Sequence, residues 1–576
     1  MRTTATGSTA PVDPASWEQA SWEQASWEQA SWEQTLWGQF DRSAQQRPGA
    51  LALVASDAHG HDVRWSYAEL RDRAVRTAAG LLRSGTAPGD PVLVQLPNRA
   101  EFAVLVLASF RLGARPVFAL PAHRSGELRH VARTSGAEVF VTADVTGSGR
   151  AACDHRDLAR DLTTADDSAV RTVLVAGVAQ EFADLAEVAV DDVQAAEAAL
   201  PAPPGPAATA FLQLSGGTTG LPKLIPRTGG TYAYTVSESA RLCGLTPDSV
   251  MLVVLPVAHN YPMSSPGILG TWCAGGTVVL AADPSPAAAF ELIAREGVTH
   301  TSLVPPLALL WTAAAEARAD ERGTGAGAPD LSSLRVVGVG GAKCTPELAR
   351  RVQELLGARL QQVFGMAEGL VNYTRLDDPD DVVLTTQGRP LSPRDEIRVV
   401  DEQDRDVPDG EPGFLLTRGP YTIRGYVAAD GSAEAHNRTA FTADGFYRTG
   451  DLVRRRPDGN LVVEGRDADR INRGGEKLSA EEVEDVLLTL PGVHDVAVVG
   501  LPDEFLGERT CAFVVPRPGA SPTVGDVRRH VRAAGLAEYK VPDRVELLDS
   551  FPPTAVGKTS RRRLRAALAE LVRARA

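Results

Sequence analysis

Strand-like and helix-like runs alternate through most of the first 340 residues, and this alternation constrains the fold more than any other feature. The segment "WSYAELRDRAVRTAAGLLRSG" predicts a strand end and a helix. "DPVLVQLP", "RAEFAVLVLASFRLG" and "RPVFAL" then predict a strand, a helix and a strand. The rhythm returns in "TVVLAA", "THTSLVPP" and "LRVVGVGG". A repeated β-α-β order is typical of mostly parallel sheets covered by helices, so the sequence predicts a body of layered α/β subdomains.

The texture of the sequence changes in the last third of the chain. Short strands and turns in "DEIRVVDEQDRDVPDGEPGFLLTRG" predict a small β-barrel-like module, and Asp458 and Gly459 suit the turn of a hairpin that follows it. Beyond Arg466 the chain shows a separate α+β pattern. There Ser479 and Glu482 fit a capping box ahead of the helix-like run "AEEVEDVLLTL".

These changes divide the chain into three parts. We predict a mobile arm over residues 1–37, a large N-terminal domain over 38–465 and a small C-terminal domain over 466–576. The N-terminal domain is expected to be α/β with the β-barrel-like module, and the C-terminal domain to be α+β. We expect a hinge between the two domains near 465–470.

The arm contains a perfect five-residue repeat, "ASWEQASWEQASWEQASWEQ", over residues 15–34, and its tryptophan spacing continues to Trp37. Five residues turn an α-helix by about 500°, so each tryptophan would be rotated by roughly 140° from the last. The tryptophans would therefore form no single face. This pattern favours a mobile arm. The alternative is an aromatic arm that docks a partner.

Composition and charge favour a cytoplasmic protein that binds neither nucleic acid nor membrane. The chain has 576 residues, a formal net charge of −14 and a pI near 5.3, which argues against binding to nucleic acid. Five cysteines are scattered without a CxxC pair, as is typical of reduced thiols in a cytoplasmic protein. The first residues lack the apolar segment of a signal peptide, and the longest apolar runs are too short to cross a membrane.

The stretch "LSGGTTGLPKLIPRT" predicts a phosphate-binding loop, although it fits neither GxxxxGK[ST] nor GxGxxG. It follows the strand-like run "FLQL". Ser215, Thr218 and Thr219 supply hydroxyl groups, and the glycines between them expose backbone N–H groups. Lys223 adds a positive charge. Such a loop is suited to the β- and γ-phosphates of a nucleotide.

Four further motifs place charged residues in turns. Glu368 follows a strand in the Gly-bracketed turn of "QQVFGMAEGL", where a carboxylate suits Mg²⁺. Asp451 is expected at a strand-edge turn in "YRTGD", where it would accept two ribose hydroxyls. "GRDADRINRGGEK" supplies Arg466 and a pair of glycines, and "PPTAVGKTSR" carries Lys558.

This set of motifs, in this order, closely resembles the adenylate-forming superfamily of acyl-CoA synthetases, peptide-synthetase adenylation domains and luciferases. The resemblance extends from about residue 38 to the end of the chain. It implies that Glu368 helps to bind Mg²⁺, that Asp451 holds the ribose, that Arg466 contacts ribose or phosphate, and that Lys558 reaches the reacting centre. It also implies that ATP pyrophosphate is held by Ser215, Gly216, Gly217, Thr218, Thr219, Gly220 and Lys223.

The stretch "LPVAHNYPMSSPGILGT" indicates which branch of the superfamily is concerned. Enzymes that activate α-amino acids usually carry Asp where Asn260 stands, and a neutral amide cannot form an ion pair with a substrate ammonium. This stretch and "QQVFGMAEGLVNYTRLDD" resemble the stand-alone aryl-acid adenylating enzymes of the 2,3-dihydroxybenzoate–AMP ligase type. The resemblance implies that His259 lies near the substrate carboxylate, with a catalytic role, and that Asn260 meets a 2-hydroxyl group.

The same resemblance implies the rest of the substrate site. The ring pocket would be lined by Tyr261, Ser265, Val363 and Val371. The backbone of Gly340, Gly341 and Ala342 would lie along the adenine and along the ring of the acid. Gly341 and Val363 are also expected to contact ATP.

Particular side chains bear on which acid is bound. Val371, in place of a leucine, leaves room for a 3-substituent and favours 2,3-dihydroxybenzoate over salicylate. Two departures from the family, the Gly229-Gly230 pair and Cys344, keep 3-hydroxypicolinate and 3-hydroxyquinaldate open. A third departure, Ala468, falls at the hinge.

The expected activity has two steps, which belong to siderophore or nonribosomal peptide biosynthesis. ATP and Mg²⁺ convert the aryl acid to aryl-AMP, and a phosphopantetheine thiol then attacks through a tunnel lined by Gly474 and Gly475. No carrier domain follows Lys558, so a separate aryl carrier protein is expected. An aryl-CoA ligase is the alternative enzyme. A catalytically inactive nucleotide-binding protein that docks through its tryptophan arm is the alternative from another class.

Overall fold

The computed structural model describes residues 34–146, 153–166, 168–215, 221–321, 329–466, 470–473, 476–503, 507–534, 536, 538–551 and 564. Within these residues the chain is a mixed α/β protein with a large N-terminal body and a small C-terminal domain, as predicted.

The strands of the described residues are β1 (Leu51–Ser56), β2 (Asp62–Ser66), β3 (Pro91–Gln95), β4 (Arg115–Phe118), β5 (Val139–Ala143), β6 (Val145–Thr146), β7 (Cys153–Asp154), β8 (Thr172–Ala176), β9 (Ala183–Asp184), β10 (Thr209–Leu214), β11 (Leu224–Thr228), β12 (Val250–Val253), β13 (Thr277–Leu280), β14 (His300–Leu303), β15 (Val336–Gly340), β16 (Arg359–Gly365), β17 (Val371–Tyr373), β18 (Arg389–Pro390), β19 (Glu396–Val400), β20 (Pro412–Arg418), β21 (Tyr447–Arg455), β22 (Leu461–Arg466), β23 (Arg470–Arg473), β24 (Glu476–Ser479), β25 (Val493–Asp503), β26 (Gly507–Pro516) and β27 (Arg544–Leu547).

The helices are α1 (Leu36–Gln46), α2 (Tyr67–Arg83), α3 (Ala100–Leu112), α4 (Ser125–Ser135), α5 (His155–Thr164), α6 (Leu185–Val188), α7 (Val193–Ala199), α8 (Gly229–Leu242), α9 (Asn260–Ser264), α10 (Gly267–Cys273), α11 (Pro286–Glu296), α12 (Pro305–Glu321), α13 (Pro346–Leu356), α14 (Asp380–Thr385), α15 (Ala433–Ala440), α16 (Ala480–Leu488) and α17 (Val524–Ala533).

Two large sheets form the layered body. One has the order β18-β17-β16-β15-β14-β12-β13-β1-β2, and the other has the order β11-β10-β4-β3-β5-β8-β9. The strands from β16 to β1 in the first order, and from β10 to β9 in the second, pair in parallel, as the β-α-β rhythm predicts. One apolar cluster combines side chains of α2 and α3 with Leu53 and Val278 of the first sheet and Val92 and Phe211 of the second. The helices between the sheets are therefore buried on more than one face.

Two smaller sheets follow. Strands β19-β20-β21-β22 form an antiparallel sheet in the region of the predicted β-barrel-like module, with the hairpin turn at Asp458-Gly459. Strands β24-β23-β26-β25, with β27 beside β26, form the sheet of the C-terminal domain, whose own apolar core includes Val498 and Val514. No helix of the described residues is long and apolar enough to cross a membrane.

The body begins earlier than the predicted boundary at residue 37. Helix α1 starts at Leu36, and Trp37 is 2% exposed, with its ring centroid 5.9 Å from that of Phe40. The fifth tryptophan of the series is thus a core residue, which the repeat spacing did not reveal. The other four lie outside the described residues.

The capping box predicted at Ser479 and Glu482 is not formed, because both side chains bind elsewhere. Ser479 directly precedes α16, but its hydroxyl makes no capping bond; it donates to the carbonyl of Glu464 at 2.8 Å. Glu482 instead pairs with Lys540 at 2.6 Å. An ion pair of 2.8 Å between Lys343 and Asp485 also joins the large domain to α16. Ala468 lies outside the described residues, and the hinge stays a prediction.

Candidate active site

The predicted ring pocket lies where the central strands of the nine-stranded sheet end. Gly340 and Val363 are the last paired residues of the parallel strands β15 and β16, and Val371 begins the antiparallel neighbour β17. Helix α9 follows β12 of the same sheet and carries Asn260 and Tyr261. The carboxyl ends of parallel strands are the usual position of ligand sites in open α/β sheets.

Close packing explains why glycine stands at position 340. A Cβ added to Gly340 would lie 2.6 Å from the carbonyl oxygen of Val363 and 3.2 Å from the Tyr261 ring. The structure therefore brings Gly340, Tyr261 and Val363 into direct contact. Val371 is buried in the same apolar cluster. Ser265, directly after α9, is also buried.

Asn260 is half-buried and bound through its side-chain oxygen. The hydroxyl of Tyr232, on α8, donates to Asn260 Oδ1 at 2.6 Å and lies 2.7 Å from Ser264 Oγ. Burial raises the pKa of Tyr232 to about 12, so this hydroxyl keeps its proton at neutral pH. His259 caps α9, and its Nδ1 accepts from the backbone N–H of Tyr261 at 3.3 Å.

A fully buried arginine lies behind this pocket. Arg227 donates to the carbonyls of Tyr421 at 2.8 Å and Ala367 at 3.1 Å, and its guanidinium lies 5.0 Å from the centroid of the Tyr232 ring. Burial lowers its pKa. Because Ala367 precedes Glu368, Arg227 connects the wall of the ring pocket to the turn that carries the predicted metal ligand.

The two departures from the family pattern, at Gly229 and Cys344, lie in different surroundings. A Cβ on Gly229 would face the side chain of Thr35 at 3.7 Å and the carbonyl of Gly205 at 3.8 Å. Those neighbours belong to the start of α1 and to the linker before β10. Cys344 is buried in the apolar cluster that contains Tyr261, and burial raises the pKa of its thiol to about 12. Gly341 and Ala342 follow β15 and are exposed.

Ser215 and Lys223 close the base of the predicted phosphate loop. The backbone N–H of Ser215 donates to the Lys223 carbonyl, and the Lys223 N–H donates to Ser215 Oγ, both at 3.0 Å. Lys223 Nζ lies 2.9 Å from His436 Nε2. Desolvation lowers the pKa of Lys223, and the negative charge of Glu368 partly opposes this shift. Desolvation and the Lys223 charge lower the pKa of His436, so the lysine donates to a neutral imidazole.

Glu368 lies in a turn after β16, as predicted, and is 9% exposed. Its Oε1 accepts from the Tyr426 hydroxyl at 2.8 Å, and that hydroxyl lies 2.9 Å from the hydroxyl of Tyr447. Burial and the Glu368 charge raise the pKa of Tyr426. Lys223 Nζ lies 5.4 Å from the centroid of the Tyr426 ring. The loop lysine and the metal-ligand candidate therefore share one neighbour.

Asp451 is 2% exposed and lies inside strand β21, not at the turn that the sequence suggested. It faces Arg466 across the hairpin, and their side chains form an ion pair of 2.9 Å. The preceding Gly450 has a φ of +73°, a conformation that favours glycine, and it lies at an irregularity in the pairing of β20 with β21. The two residues predicted to bind the nucleotide are thus paired with each other in this structure.

Eight predicted site residues lie outside the described residues: Gly216, Gly217, Thr218, Thr219, Gly220, Gly474, Gly475 and Lys558. Their roles stay predictions.

The described residues contain no group of three His, Cys, Asp or Glu side chains placed to hold a metal ion. Glu368 is a single carboxylate with one oxygen engaged by Tyr426. This donor set suits Mg²⁺, which commonly binds through one or two carboxylates together with substrate phosphates. It does not suit a metal held by protein ligands alone.

The sequence interpretation missed Tyr232, Arg227, Tyr426 and His436. Arg227 and Tyr232 belong to "IPRTGGTY", the stretch that departs from the family pattern, but nothing in their spacing indicates a contact with Asn260 or Ala367. His436 is 213 residues from Lys223.

The chain belongs to the family of AMP-binding enzymes: residues 40–427 match that family, and residues 482–558 match its C-terminal domain.

Particular relatives are closely similar over almost the whole chain. The chain is 52% identical to the 2,3-dihydroxybenzoate-AMP ligase of Bacillus subtilis, over 90% of this chain and 91% of that protein. It is 47% identical to a salicyl-AMP ligase / salicyl-S-ArCP synthetase of Mycobacterium tuberculosis, over 90% and 88%. The apo structure of MbtA from Mycobacterium smegmatis shares 47% identity and a TM-score of 0.68, over 93% of this chain and 95% of that one.

Proposed function

We propose that the chain activates an aryl carboxylic acid with ATP, giving aryl-AMP and pyrophosphate, and transfers the aryl group to the phosphopantetheine thiol of a separate carrier protein. 2,3-Dihydroxybenzoate is the favoured acid. The observation that carries the proposal is the neutral, oriented amide of Asn260 beside an apolar ring pocket. The relatives in Bacillus subtilis and Mycobacterium tuberculosis, a 2,3-dihydroxybenzoate-AMP ligase and a salicyl-AMP ligase, support the same class of acid.

The electrostatics of the pocket disfavour an α-amino acid. Asn260, Tyr261, Ser265, Val363 and Val371 carry no formal charge, so these residues offer no ion pair to a substrate ammonium. A buried cation without a counter-charge is costly. A planar aromatic ring suits the apolar surface formed by Val363, Val371 and Tyr261, and Asn260 supplies a polar contact for a ring substituent.

The nucleotide is assigned to the residues around the loop base and β21. Lys223 would move from His436 to the phosphates, and Asp451 would hold the ribose beside Arg466. Mg²⁺ bound at Glu368 would neutralise charge on the phosphate oxygens. A carboxylate oxygen of the acid then attacks the α-phosphorus, and the bond from that phosphorus to the pyrophosphate oxygen breaks. Lys558 is assigned to the charge that develops in this step.

The second step replaces AMP by a thiol. The thiol loses its proton and attacks the acyl carbon, a carbon–sulfur bond forms, and AMP leaves with the electrons of the acyl–oxygen bond. The C-terminal domain is proposed to rotate between the steps, so that Gly474 and Gly475 line the path of the phosphopantetheine arm.

Thioester formation tests the choice of acceptor. The enzyme is incubated with ATP, Mg²⁺ and each candidate acid, together with either a phosphopantetheinylated carrier protein or free coenzyme A. The thioester products are identified and quantified by mass spectrometry. The proposal predicts aryl-thioester on the carrier at a rate well above that for coenzyme A. A faster reaction with coenzyme A would make the chain an aryl-CoA ligase. The acid panel comprises 2,3-dihydroxybenzoate, salicylate, 3-hydroxypicolinate and 3-hydroxyquinaldate.

A further inference from the structure

We propose that Tyr232 is a positioning residue that fixes the side-chain amide of Asn260, with its NH₂ group left for the substrate, and that the site therefore selects acids with an ortho hydroxyl over acids with an ortho amino group. The inference rests on the proposed function. It concerns a residue outside the predicted pocket, one that acts through Asn260 and not by touching the ring itself.

The Tyr232 ring is held in place on several sides. It is 1% exposed, and its centroid lies 4.6 Å from that of Phe211 in an edge-to-face arrangement. The Arg227 guanidinium lies 5.0 Å from the ring centroid. Because the ring cannot turn away without opening a cavity, its hydroxyl is a fixed point against which the Asn260 side chain must orient.

Three observations indicate which end of the Asn260 amide faces Tyr232. The 2.6 Å separation is typical of an O–H···O hydrogen bond and short for an N–H···O one. Tyr232 keeps its proton at neutral pH, so it can donate to Oδ1. Ser264 Oγ lies 2.7 Å from the Tyr232 hydroxyl oxygen, so the serine can donate to that oxygen while Tyr232 donates its single proton to Asn260 Oδ1, the shorter of its two contacts.

The orientation leaves the amide nitrogen as the group presented to a ligand. Within the part of the chain that the structure describes, Asn260 Nδ2 makes no hydrogen bond, and the residue is only half-buried. A pocket that presents N–H groups at this point requires an acceptor on the substrate.

The ortho substituent of the acid decides whether that requirement is met. In a 2-hydroxybenzoate the hydroxyl proton is bound by the carboxylate of the same molecule, so its oxygen faces outward as an acceptor. In a 2-aminobenzoate one N–H is bound in the same way, and the second faces outward as a donor. The fixed Asn260 amide therefore accommodates the hydroxyl and opposes the amino group.

The test compares salicylate with 2-aminobenzoate, which share the ring and the carboxylate and differ in the ortho substituent. Tyr232→Phe frees the Asn260 amide to rotate, and kcat/KM is measured for both acids in ATP–pyrophosphate exchange. The ratio of the two constants is expected to fall by about tenfold, within a range of roughly five- to a hundredfold for a mispaired hydrogen-bonding group. A purely structural loss would lower both constants together and leave the ratio unchanged.

Two variants serve as controls. Tyr67→Phe removes an equally buried hydroxyl, which donates to the Gly276 carbonyl at 2.7 Å, and it should leave the ratio at the parental value. Ser264→Ala keeps the bond between Tyr232 and Asn260 and should also preserve the ratio. If Tyr232→Phe does not fold, the double variant Tyr232→Phe/Ser264→Ala, which also removes the stranded serine hydroxyl, takes its place with the same expected fall.

The outcomes separate this inference from the function on which it rests. If the parental enzyme prefers salicylate and Tyr232→Phe has the same ratio of kcat/KM for the two acids, the positioning role alone is overturned. A parental enzyme without a preference for salicylate over 2-aminobenzoate also overturns the inference. A parental enzyme that exchanges pyrophosphate with no aryl acid overturns the proposed function and the inference together.

Discussion

Replacing Tyr426 by phenylalanine isolates the contact that holds the candidate metal ligand. The Tyr426 hydroxyl donates to Glu368 Oε1 at 2.8 Å, and Glu368 is 9% exposed. A hydrogen bond to a charged group is worth about 1.5–3 kcal/mol. If this contact sets the position of Glu368 in the reacting complex, its loss should slow pyrophosphate exchange by about one to two orders of magnitude. The hydroxyl of Tyr447, 2.9 Å away, would lose a partner as well.

The assay is acid-dependent ATP–pyrophosphate exchange over a range of Mg²⁺ concentrations. Tyr426→Phe should need more Mg²⁺ for half-maximal rate, because a carboxylate with a less defined position binds the ion less well. Tyr67→Phe is the matched control, since it loses a buried hydroxyl bond far from Glu368 in the sequence. Thermal melts of both variants separate stability from activity. The reasoning is refuted if the two variants have the same exchange rate and the same dependence on Mg²⁺.

Four other changes test the substrate pocket, the role of Lys558 and the N-terminal repeat. Asn260→Asp should disfavour hydroxybenzoates, because a carboxylate would face an acceptor oxygen; exchange rates equal to the parental ones would contradict the pocket assignment. Lys558→Ala should lower the rate of pyrophosphate exchange by about 10²–10³. It should still transfer the aryl group from supplied aryl-adenylate to a carrier thiol at a near-parental rate. An equal loss in both half-reactions would contradict a role of Lys558 in adenylation alone. Deleting residues 1–34 should keep the exchange rate within about twofold of the parental rate. Trp37→Ala should lower the free energy of unfolding in denaturant by about 3–5 kcal/mol, because Trp37 is 2% exposed. A large loss on deletion and none for Trp37→Ala would show that the repeat supports the core.

Hydrophobic patterning was enough to predict the layered body. The run of β15, Val336–Gly340, is short and apolar, and the parallel pairing of β15 with β14 and β16 follows from the helices between these strands. Patterning failed where a residue's environment is set by distant parts of the chain. Trp37 shares the spacing of the repeat, yet it is buried because α1 packs on α2 and α10. Ser479 has the sequence of a capping residue, but its hydroxyl donates a hydrogen bond to the Glu464 carbonyl, which the fold brings close.

The site was predictable to the extent that single residues carry its chemistry. Glu368 was identified by its turn, and Asn260 by its neutral side chain in a stretch that resembles a known pocket. The residues that position them could not be found in this way. Tyr232, Arg227 and Tyr426 act through contacts between separate elements, and no periodicity or spacing in one sequence encodes such contacts.

Acid-dependent ATP–pyrophosphate exchange across a panel of acids tests whether the chain activates aryl acids. The panel contains 2,3-dihydroxybenzoate, salicylate, the heteroaromatic 3-hydroxy acids, unsubstituted benzoate and several α-amino acids. We expect strong exchange with ortho-hydroxylated aryl acids, highest with 2,3-dihydroxybenzoate, and background exchange with the α-amino acids. Exchange driven by an α-amino acid, or none above background with any aryl acid, would contradict it.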